Sequence, residues 1–391
     1  MTDKQIDKNI PKLRFPEFKN EGRWEVKNLC DIAEKRVERN RENLPLPVLT
    51  NSATEGVLNQ AYYFERDIVT KDNLGNYYIV DKDDFVYNPR ISSTASVGPI
   101  SRNKVGRGIM SPLYTVFRFR KGNLDFFEQY FKTNCWHQYI RKKANFGARF
   151  DRINLTAKDF FNLPVPFPSD SEQAQIATAL CSLDSLIQAC KEKLEQYKAH
   201  KIGLMQKLFP SRGKAIPVHR LAEFKDSDSW RCVKLKEIIK VNSGRDYRHL
   251  KYGTIPVYGT GGYMTNVNDW LSDVDAVGIG RKGTIDQPQY LKAPFWTVDT
   301  LFYLTPTTNQ DILFIYYLAQ TIPWKKYGEQ TGVPSLSKKS IEELEVYIPL
   351  FFEQRRIATI LSSVDALIQA EESKYEYLSL HKQGLLQVLL G

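Results

Sequence analysis

Five cysteines in 391 residues, Cys30, Cys135, Cys181, Cys190 and Cys232, form no Cys-x-x-Cys pair and no zinc spacing. An odd count argues against a secreted disulfide framework, so reduced thiols of a cytoplasmic chain are expected. Histidine is equally sparse: His137, His200, His219, His249 and His381 fall in no metal-ligand spacing. No apolar run reaches the ~18 residues a membrane helix needs, and no signal-peptide pattern opens the sequence, so neither a membrane nor export is expected. No nucleophile, base and orienting residue come together recognisably, and no metal site is expected. Gly278, Gly280 and Gly283 formally satisfy Gly-x-Gly-x-x-Gly. The next residues, TIDQPQYLKAPFW, open no helix and offer no βαβ unit, so dinucleotide binding is not expected there. The stretch YNPR at Tyr87 to Arg90 lacks the second proline and the aromatic residue of the adenine-methyltransferase motif it partly matches.

What the chain has is positive charge and repetition. Lys and Arg number 55 against 45 Asp and Glu, a formal net charge of +10 and a pI near 9.1, spread along the whole chain. Such a balance suits a polyanion partner, most naturally nucleic acid; a merely solvated basic surface is the alternative. With 42% hydrophobic residues the chain can bury proper cores, and its length allows two or three domains.

Residues 172–208 recur as residues 353–389, with twenty of thirty-seven aligned positions identical and a fixed register of 181 (353 minus 172). A second echo runs at a register of 206: Arg14, Glu17, Phe18, Lys19 and Trp24 match Arg220, Glu223, Phe224, Lys225 and Trp230. The chain is an internal duplication whose second intervening segment is shorter by 25 residues (206 minus 181). Between the repeated blocks, roughly a hundred residues in each half share no obvious sequence, as a common scaffold carrying two different readers would.

Each repeated block reads as one long helix. In the first copy Ile176, Leu180, Leu183, Ile187, Cys190, Leu194, Tyr197, Leu204 and Leu208 step by three and four, with Lys201 filling the remaining slot. In the second, Ile357, Leu361, Val364, Ile368, Tyr375, Leu378, Leu385 and Leu389 do so, interrupted by Glu371 and Lys382. These are heptad seams, and two such seams should pack on each other. Ser169 with Glu172 reads as a capping box at the first helix start; Pro210 and Gly213 end it. Off the seam, Thr178, Ser182, Gln188, Gly203 and Gln206 equal Thr359, Ser363, Gln369, Gly384 and Gln387. Packing does not demand these identities, so the polar ones among them are candidates for a duplicated partner-binding surface.

Residues 24–154 and 230–335 alternate short β-branched and aromatic runs with Gly, Pro, Asn and Asp turns, predicting compact α+β domains with helices near 124–143 and 312–320. Basic residues interleave along their loops, among them Arg90, Lys104, Arg107, Arg118, Arg141, Arg149 and Arg152 in the first and Arg281, Lys282, Lys325 and Lys338 in the second. Lys and Arg there are suited to phosphates, and Asn, Gln, Ser and Arg on turns to base edges.

PKLRFPEF followed by Trp24, its echo AEFKDSDSW, the two EQ-x-x-IAT helix starts, and the segments VYGTGGYM, GRKGTI, WTVDTLFYL and TGVPSLSKKSIEELEVYIP together resemble the specificity subunit of a type I restriction-modification enzyme, over essentially the full length. The resemblance implies an α+β chain with two target recognition domains, each reading one half of a bipartite double-stranded DNA site. Two long helices would form an antiparallel coiled coil, in a pseudo-two-fold internal repeat. It also implies two methylation subunits that carry S-adenosylmethionine and make N6-methyladenine, restriction and translocase subunits that cleave, and no cofactor on this chain. The expected division is 1–154 and 211–335 for the recognition domains, with 155–210 and 336–391 for the spacer-helix regions. Base-reading residues do not carry over from a family whose recognition domains diverge, so DNA-binding candidates are positional: Asn88, Arg90, Ser96, Gly98, Gly147, Arg149 and Arg152 in the first domain. In the second they are Gly261, Gly262, Arg281, Lys282, Asp299, Thr300, Gly332 and Ser335. Asp299 would accept from cytosine N4 or simply cap a turn. Two rival readings stand beside this one: a self-sufficient nuclease or methyltransferase, and a protein scaffold without a nucleic-acid role.

Overall fold

The computed structural model describes residues 10–60, 71–144, 151–211, 213–328 and 332–391. The chain divides into two compact units, Met1–Ala189 with Tyr375–Gly391, and Cys190–Lys374. Both repeated blocks are single helices, Asp170–Leu208 and Phe351–Leu389, each of 39 residues and so about 58 Å long. Each helix passes from one unit into the other. Within the first unit the early part of the first helix lies beside the late part of the second, with Lys382 hydrogen-bonded to Asp184. Within the second unit the late part of the first helix lies beside the early part of the second, with Lys201 on Asp365. The helices therefore run antiparallel in both.

The segments that share no sequence share a sheet. In the first unit four antiparallel strands run in the order Ala33–Arg36, Thr115–Phe119, Phe85–Tyr87, Ile100–Arg102. In the second the order is Ile239–Ser243, Leu301–Pro306, Ala276–Gly280, Gln289–Leu291, with the same connectivity. A buried strand asks only for apolar or small side chains, and an edge strand for an alternating pattern, which many sequences satisfy, so the duplication persists in topology after it has faded from identity. Each unit also ties its first strand to its last: Glu25–Asn28 pairs with Pro164–Phe167, and Arg231–Lys234 with Glu345–Ile348. What differs is the insertion. The first unit carries a hairpin, Leu49–Ser52 with Gly56–Asn59, and the pair Tyr78–Val80 with Gly108–Met110. The second carries a three-stranded sheet ordered Gly262–Val267, Ile255–Gly259, Trp296–Thr297.

The helix expected over 124–143 is two, Leu124–Phe131 and His137–Lys143. The break comes where Thr133 Oγ1 donates to the Tyr130 carbonyl and Trp136 Nε1 to the Phe131 carbonyl, satisfying acceptors that a continuing helix would have used. The second-unit helix runs Ile312–Thr321, and there too a buried indole, Trp324 Nε1, caps the carbonyl of Ala319. Aromatic rings fill the first core: Phe119 stacks on Phe127 with centroids 4.1 Å apart, and Tyr87 on Phe160 at 4.9 Å. Leu386, Leu389 and Leu390 at the end of the second long helix complete that core, while Leu208 and Phe209 serve the second.

The capping box expected at Ser169 and Glu172 is only half formed. Ser169 Oγ accepts from the Glu172 amide at 3.4 Å, but the Glu172 carboxylate, fully buried, is engaged elsewhere. Arg14 donates to both its oxygens at 2.7 Å, and Trp24 Nε1 donates at 3.0 Å. The second unit repeats the clamp: Arg220 reaches Glu353 at 3.0 and 2.8 Å, and Trp230 Nε1 at 3.2 Å. Gln173 and Gln354, the next residues, accept from the amides of Asn123 and Asp311, the N-caps of the Leu124 and Ile312 helices. The repeated Arg, Trp and Glu-Gln letters are thus one device, which docks the globular part of each unit onto the start of a long helix.

Candidate nucleic-acid interface

In the first unit the strand Phe85–Tyr87 leads into a loop whose Arg90 forms an isolated antiparallel bridge with Arg152. The pairing is extended by Ile91 N to the Asp151 carbonyl at 3.0 Å and Ile153 N to the Pro89 carbonyl at 2.9 Å. In the second unit the corresponding strand, Ala276–Gly280, leads into Arg281 and Lys282, and Lys282 bridges Ser335. There the flanking bonds are Gly283 N to the Pro334 carbonyl at 3.0 Å and Leu336 N to the Arg281 carbonyl at 2.9 Å. Both units thus place exposed cations on the loop that leaves the third strand of the sheet, held against the segment that enters the short helix before the long one, Ala157–Phe161 in one and Lys338–Glu342 in the other.

The candidates from sequence divide on this frame. Arg90 is brought to Arg152 in the first unit, and Arg281 and Lys282 to Ser335 in the second, by these bridges and their flanking bonds. Asn88 is occupied in holding its loop: its Nδ2 donates to the Asn51 carbonyl at 2.9 Å, and its Oδ1 accepts from the Arg90 amide at 3.0 Å. Ser96 accepts from Arg141 at 2.7 Å. Gly98 is a packing position, because a Cβ there would lie 1.9 Å from the Asn88 carbonyl oxygen, and its φ is +79°. Gly147 and Arg149 lie outside the described residues. Gly261 and Gly262 turn the hairpin between Ile255–Gly259 and Gly262–Val267, with Gly262 at φ +106°. Asp299 and Thr300 are the central residues of a turn closed by Leu301 N on the Val298 carbonyl, and Arg281 N donates to the Thr300 carbonyl at 2.8 Å. Gly332 is exposed at φ +81°, two residues before the Pro334 that accepts from Gly283.

Several cations read from sequence as part of a basic face are paired internally. Arg118 holds Asp84 at 2.6 Å and Asp81 at 2.9 Å, and the bond to the buried Asp84 first, against the cost of burial, raises its already high pKa further. Lys104 reaches Glu128 at 2.8 Å, Arg107 Asp81 at 3.5 Å, Lys325 Asp286 at 2.6 Å and Lys338 Glu342 at 3.5 Å. A paired guanidinium or ammonium has less charge to offer a phosphate, so the basic face contracts to Arg90, Arg281 and Lys282 on the two bridged loops, Arg152 being 3.7 Å from its neighbour Asp151. In the first unit Arg90 and Arg152 also line a cleft of about 440 Å³ with Asn51, Asn88, Ser111 and Tyr114. Sequence reading missed Asn51, whose side chain is buried with Oδ1 unpartnered; no pattern in the string distinguishes it from a turn asparagine.

On the long helices Thr178, Ser182, Gln188, Gln206, Thr359, Ser363, Gln369 and Gln387 are all exposed. The hydroxyls of Thr178 and Thr359 each donate to the carbonyl four residues earlier at 2.8 Å, so each is satisfied within its own helix. Leu186 and Leu367, equivalent by the same register of 181, are exposed on these helices at 43% and 49%. Thr-x-x-x-Ser-x-x-x-Leu is therefore an outward stripe written twice. Among the described residues no helix is long and apolar enough to cross a membrane.

Comparison with known proteins agrees with this architecture. The family model described as the type I restriction modification DNA specificity domain matches twice, at residues 21–198 and 227–379. The MjaVIII specificity subunit of Methanocaldococcus jannaschii is 24% identical over 61% of this chain, which spans 63% of that relative. The putative MjaX specificity subunit of the same organism is 22% identical over 98% of this chain and 96% of its own length. The S subunit of a type I restriction-modification system from M. genitalium superposes with a TM-score of 0.67 at 19% identity, over 97% of this chain and 99% of that one, a likeness of fold.

Proposed function

Because the chain belongs to the type I restriction-modification DNA specificity family, we propose that it is the DNA-reading component of such a system, acting in the cytoplasm without chemistry of its own. Each unit reads one half of a bipartite double-stranded site, and the antiparallel helix pair sets the gap between the halves. Two methylation subunits dock on the twice-written Thr, Ser and Leu stripes; S-adenosylmethionine, bound by those subunits, supplies the methyl group for adenine N6. Restriction and translocase subunits join the same assembly.

One observation carries the reading: the same sheet in both units presents its cationic loop at the same place, Arg90 against Arg152 in one and Lys282 against Ser335 in the other. A protein that reads two unlike half-sites needs equivalent presentation with different side chains. The loops differ while the frame does not.

The test is the methylated-adenine map of cells with the chain, without it, and with residues 24–154 replaced by the matching segment of a relative. Deletion is expected to erase one class of methylated sites, and the replacement to change one half of that site alone. An unaltered map on deletion, or methyl transfer by the purified chain with S-adenosylmethionine alone, would overturn the proposal. So would a folded hybrid that changes both halves together.

A further inference from the structure

The hairpin Ile255–Gly259 with Gly262–Val267 in the second unit carries two large apolar side chains held in solvent beside its turn. Tyr263 is 61% exposed and Met264 51%, directly after the Gly261–Gly262 turn. Burial is the usual fate of such residues, and this tip is held in place rather than left loose. Gln289 Nε2 donates to the carbonyls of Gly259 and Thr260 at 2.9 and 3.1 Å, and the Tyr258 and Tyr263 rings meet edge to face with centroids 6.5 Å apart. A Cβ on Gly259 would lie 2.7 Å from Met264 Sδ and 3.6 Å from Val298, so the thioether rests against a backbone that only glycine leaves bare.

Around this tip the basic loops converge on the turn Val298–Leu301. Val298 N donates to the Tyr258 carbonyl at 3.0 Å, Arg245 N to the Thr297 carbonyl at 2.8 Å, and Arg281 N to the Thr300 carbonyl at 2.8 Å. Arg245, Arg281 and Lys282 are exposed; of the exposed carboxylates on these segments, Asp299 lies on that turn and Asp246, beside Arg245, pairs with Arg248 at 3.4 Å. A rigid apolar point whose adjoining loops carry more cations than carboxylates is complementary to a polyanion with a hydrophobic interior, which describes stacked duplex DNA and not a protein groove of ordinary charge.

We infer that Tyr263 and Met264 form a wedge that enters a base step of the second half-site, so that the second unit reads sequence partly through the ease with which that step unstacks. The inference rests on the reading of this unit as a DNA reader and adds its mode of reading. Arg281, Lys282 and Arg245 hold the flanking phosphates, and the wedge favours a flexible pyrimidine–purine step over a stiff one. Among the described residues the first unit's hairpin turns through Ala53, Thr54 and Glu55 and carries no such apolar pair at its turn.

The test uses the full-length chain and a duplex bearing its mapped methylation site, with 2-aminopurine placed in turn at each step of the second half-site. Wild-type chain is expected to raise 2-aminopurine fluorescence at one step. Replacing Tyr263→Ala together with Met264→Ala should abolish that rise and relax discrimination at the step by roughly tenfold, leaving the first half-site untouched. Tyr263→Phe should keep both effects, since it retains the ring. Circular dichroism melting of each variant establishes that the exposed changes leave the fold intact. If wild type binds its site selectively and the double variant does so equally, the wedge is wrong while the DNA reading stands. If wild type shows no site-dependent binding at all, the reading fails and the wedge with it. Lost co-purification with the methylation subunits at unchanged DNA discrimination would assign the tip to a protein partner and also overturn the wedge.

Discussion

Lys201 Nζ lies 2.7 Å from Asp365 Oδ1, joining the two long helices within the second unit. Shifting both residues by the repeat register of 181 gives Lys382 and Asp184, and these form the corresponding pair within the first unit. The polar slots that interrupt each heptad seam are therefore the points at which the two helices are keyed together. Each aspartate also holds its recognition domain: Asp184 accepts from Gln129 at 2.8 Å, and Asp365 from the Tyr317 hydroxyl at 2.7 Å. A helix pair that slid by one turn would lose both keys and both domain contacts, so charge sets a register that apolar packing alone would leave open.

Removing one member of a key should cost more than removing both. Asp184→Ala leaves the Lys382 ammonium, 10% exposed, without its counter-charge and is expected to destabilise by about 3 kcal/mol. Asp184→Ala with Lys382→Met should recover much of that loss. Urea midpoints for the two singles and the double form a mutant cycle that checks the sign.

The same pair makes a prediction in acid. Burial opposes the Asp184 charge, but the hydrogen bonds from Lys382 and Gln129 and the charge of Lys132 outweigh it, holding the carboxyl at about 2 against an ordinary 3.8. A depressed carboxyl stabilises the fold above its unfolded value and loses that contribution as pH falls through the folded one. The stability difference between wild type and Asp184→Asn should accordingly shrink from pH 4 toward pH 2. Lys382 works in the opposite sense, since burial and then the neighbouring Lys132 charge together lower its pKa more than the bond to Asp184 raises it, and that cost is relieved only at high pH. Urea titrations at stepped pH read the acid effect; a constant difference would mean Asp184 is not so held.

Glu172→Gln should loosen the first unit and leave the second intact. The Arg14 guanidinium, whose side chain is 9% exposed, would lose a bidentate carboxylate, an expected cost of about 3 kcal/mol. Hydrogen exchange should quicken around residues 10–36, with Glu353→Gln producing the equivalent effect around Arg220 and Trp230.

Gly98→Ala is expected to be among the most damaging single-methyl changes in the first unit. Its φ of +79° and the 1.9 Å approach to the Asn88 carbonyl combine strain with a clash against backbone that cannot step aside. A loss of about 3 kcal/mol or more is expected, read as a lowered melting temperature. Weakened DNA binding at unchanged stability would instead make Gly98 a contact residue.

Arg281→Ala with Lys282→Ala should weaken DNA binding and reduce the slope of log affinity against log salt by about two, without changing stability. Lys325→Ala, whose ammonium is held by Asp286 at 2.6 Å, should leave the slope nearly unchanged. Equal slopes for wild type and the double variant would place these cations outside the interface.

The sequence alone determined the duplication, the two long helices and their seams, because heptad packing constrains residue type at every third or fourth position and copying preserved the letters. It also held the Arg, Trp and Glu clamp in plain view, since Arg14, Trp24 and Glu172 recur together as Arg220, Trp230 and Glu353 with the 25-residue difference lying between them (158 against 133). Only folding decided what those letters do, because a carboxylate three residues after a serine looks the same whether it caps a helix or anchors a buried arginine 158 residues away. The shared sheet of the two recognition domains was likewise invisible, as strand topology depends on which backbones pair and tolerates nearly any alternating sequence. Which cations remain exposed on the loops was decided last, by tertiary neighbours: Arg118 and Arg281 are alike in the string, and the position of Asp84 beside one of them separates a structural ion pair from a charge presented to solvent.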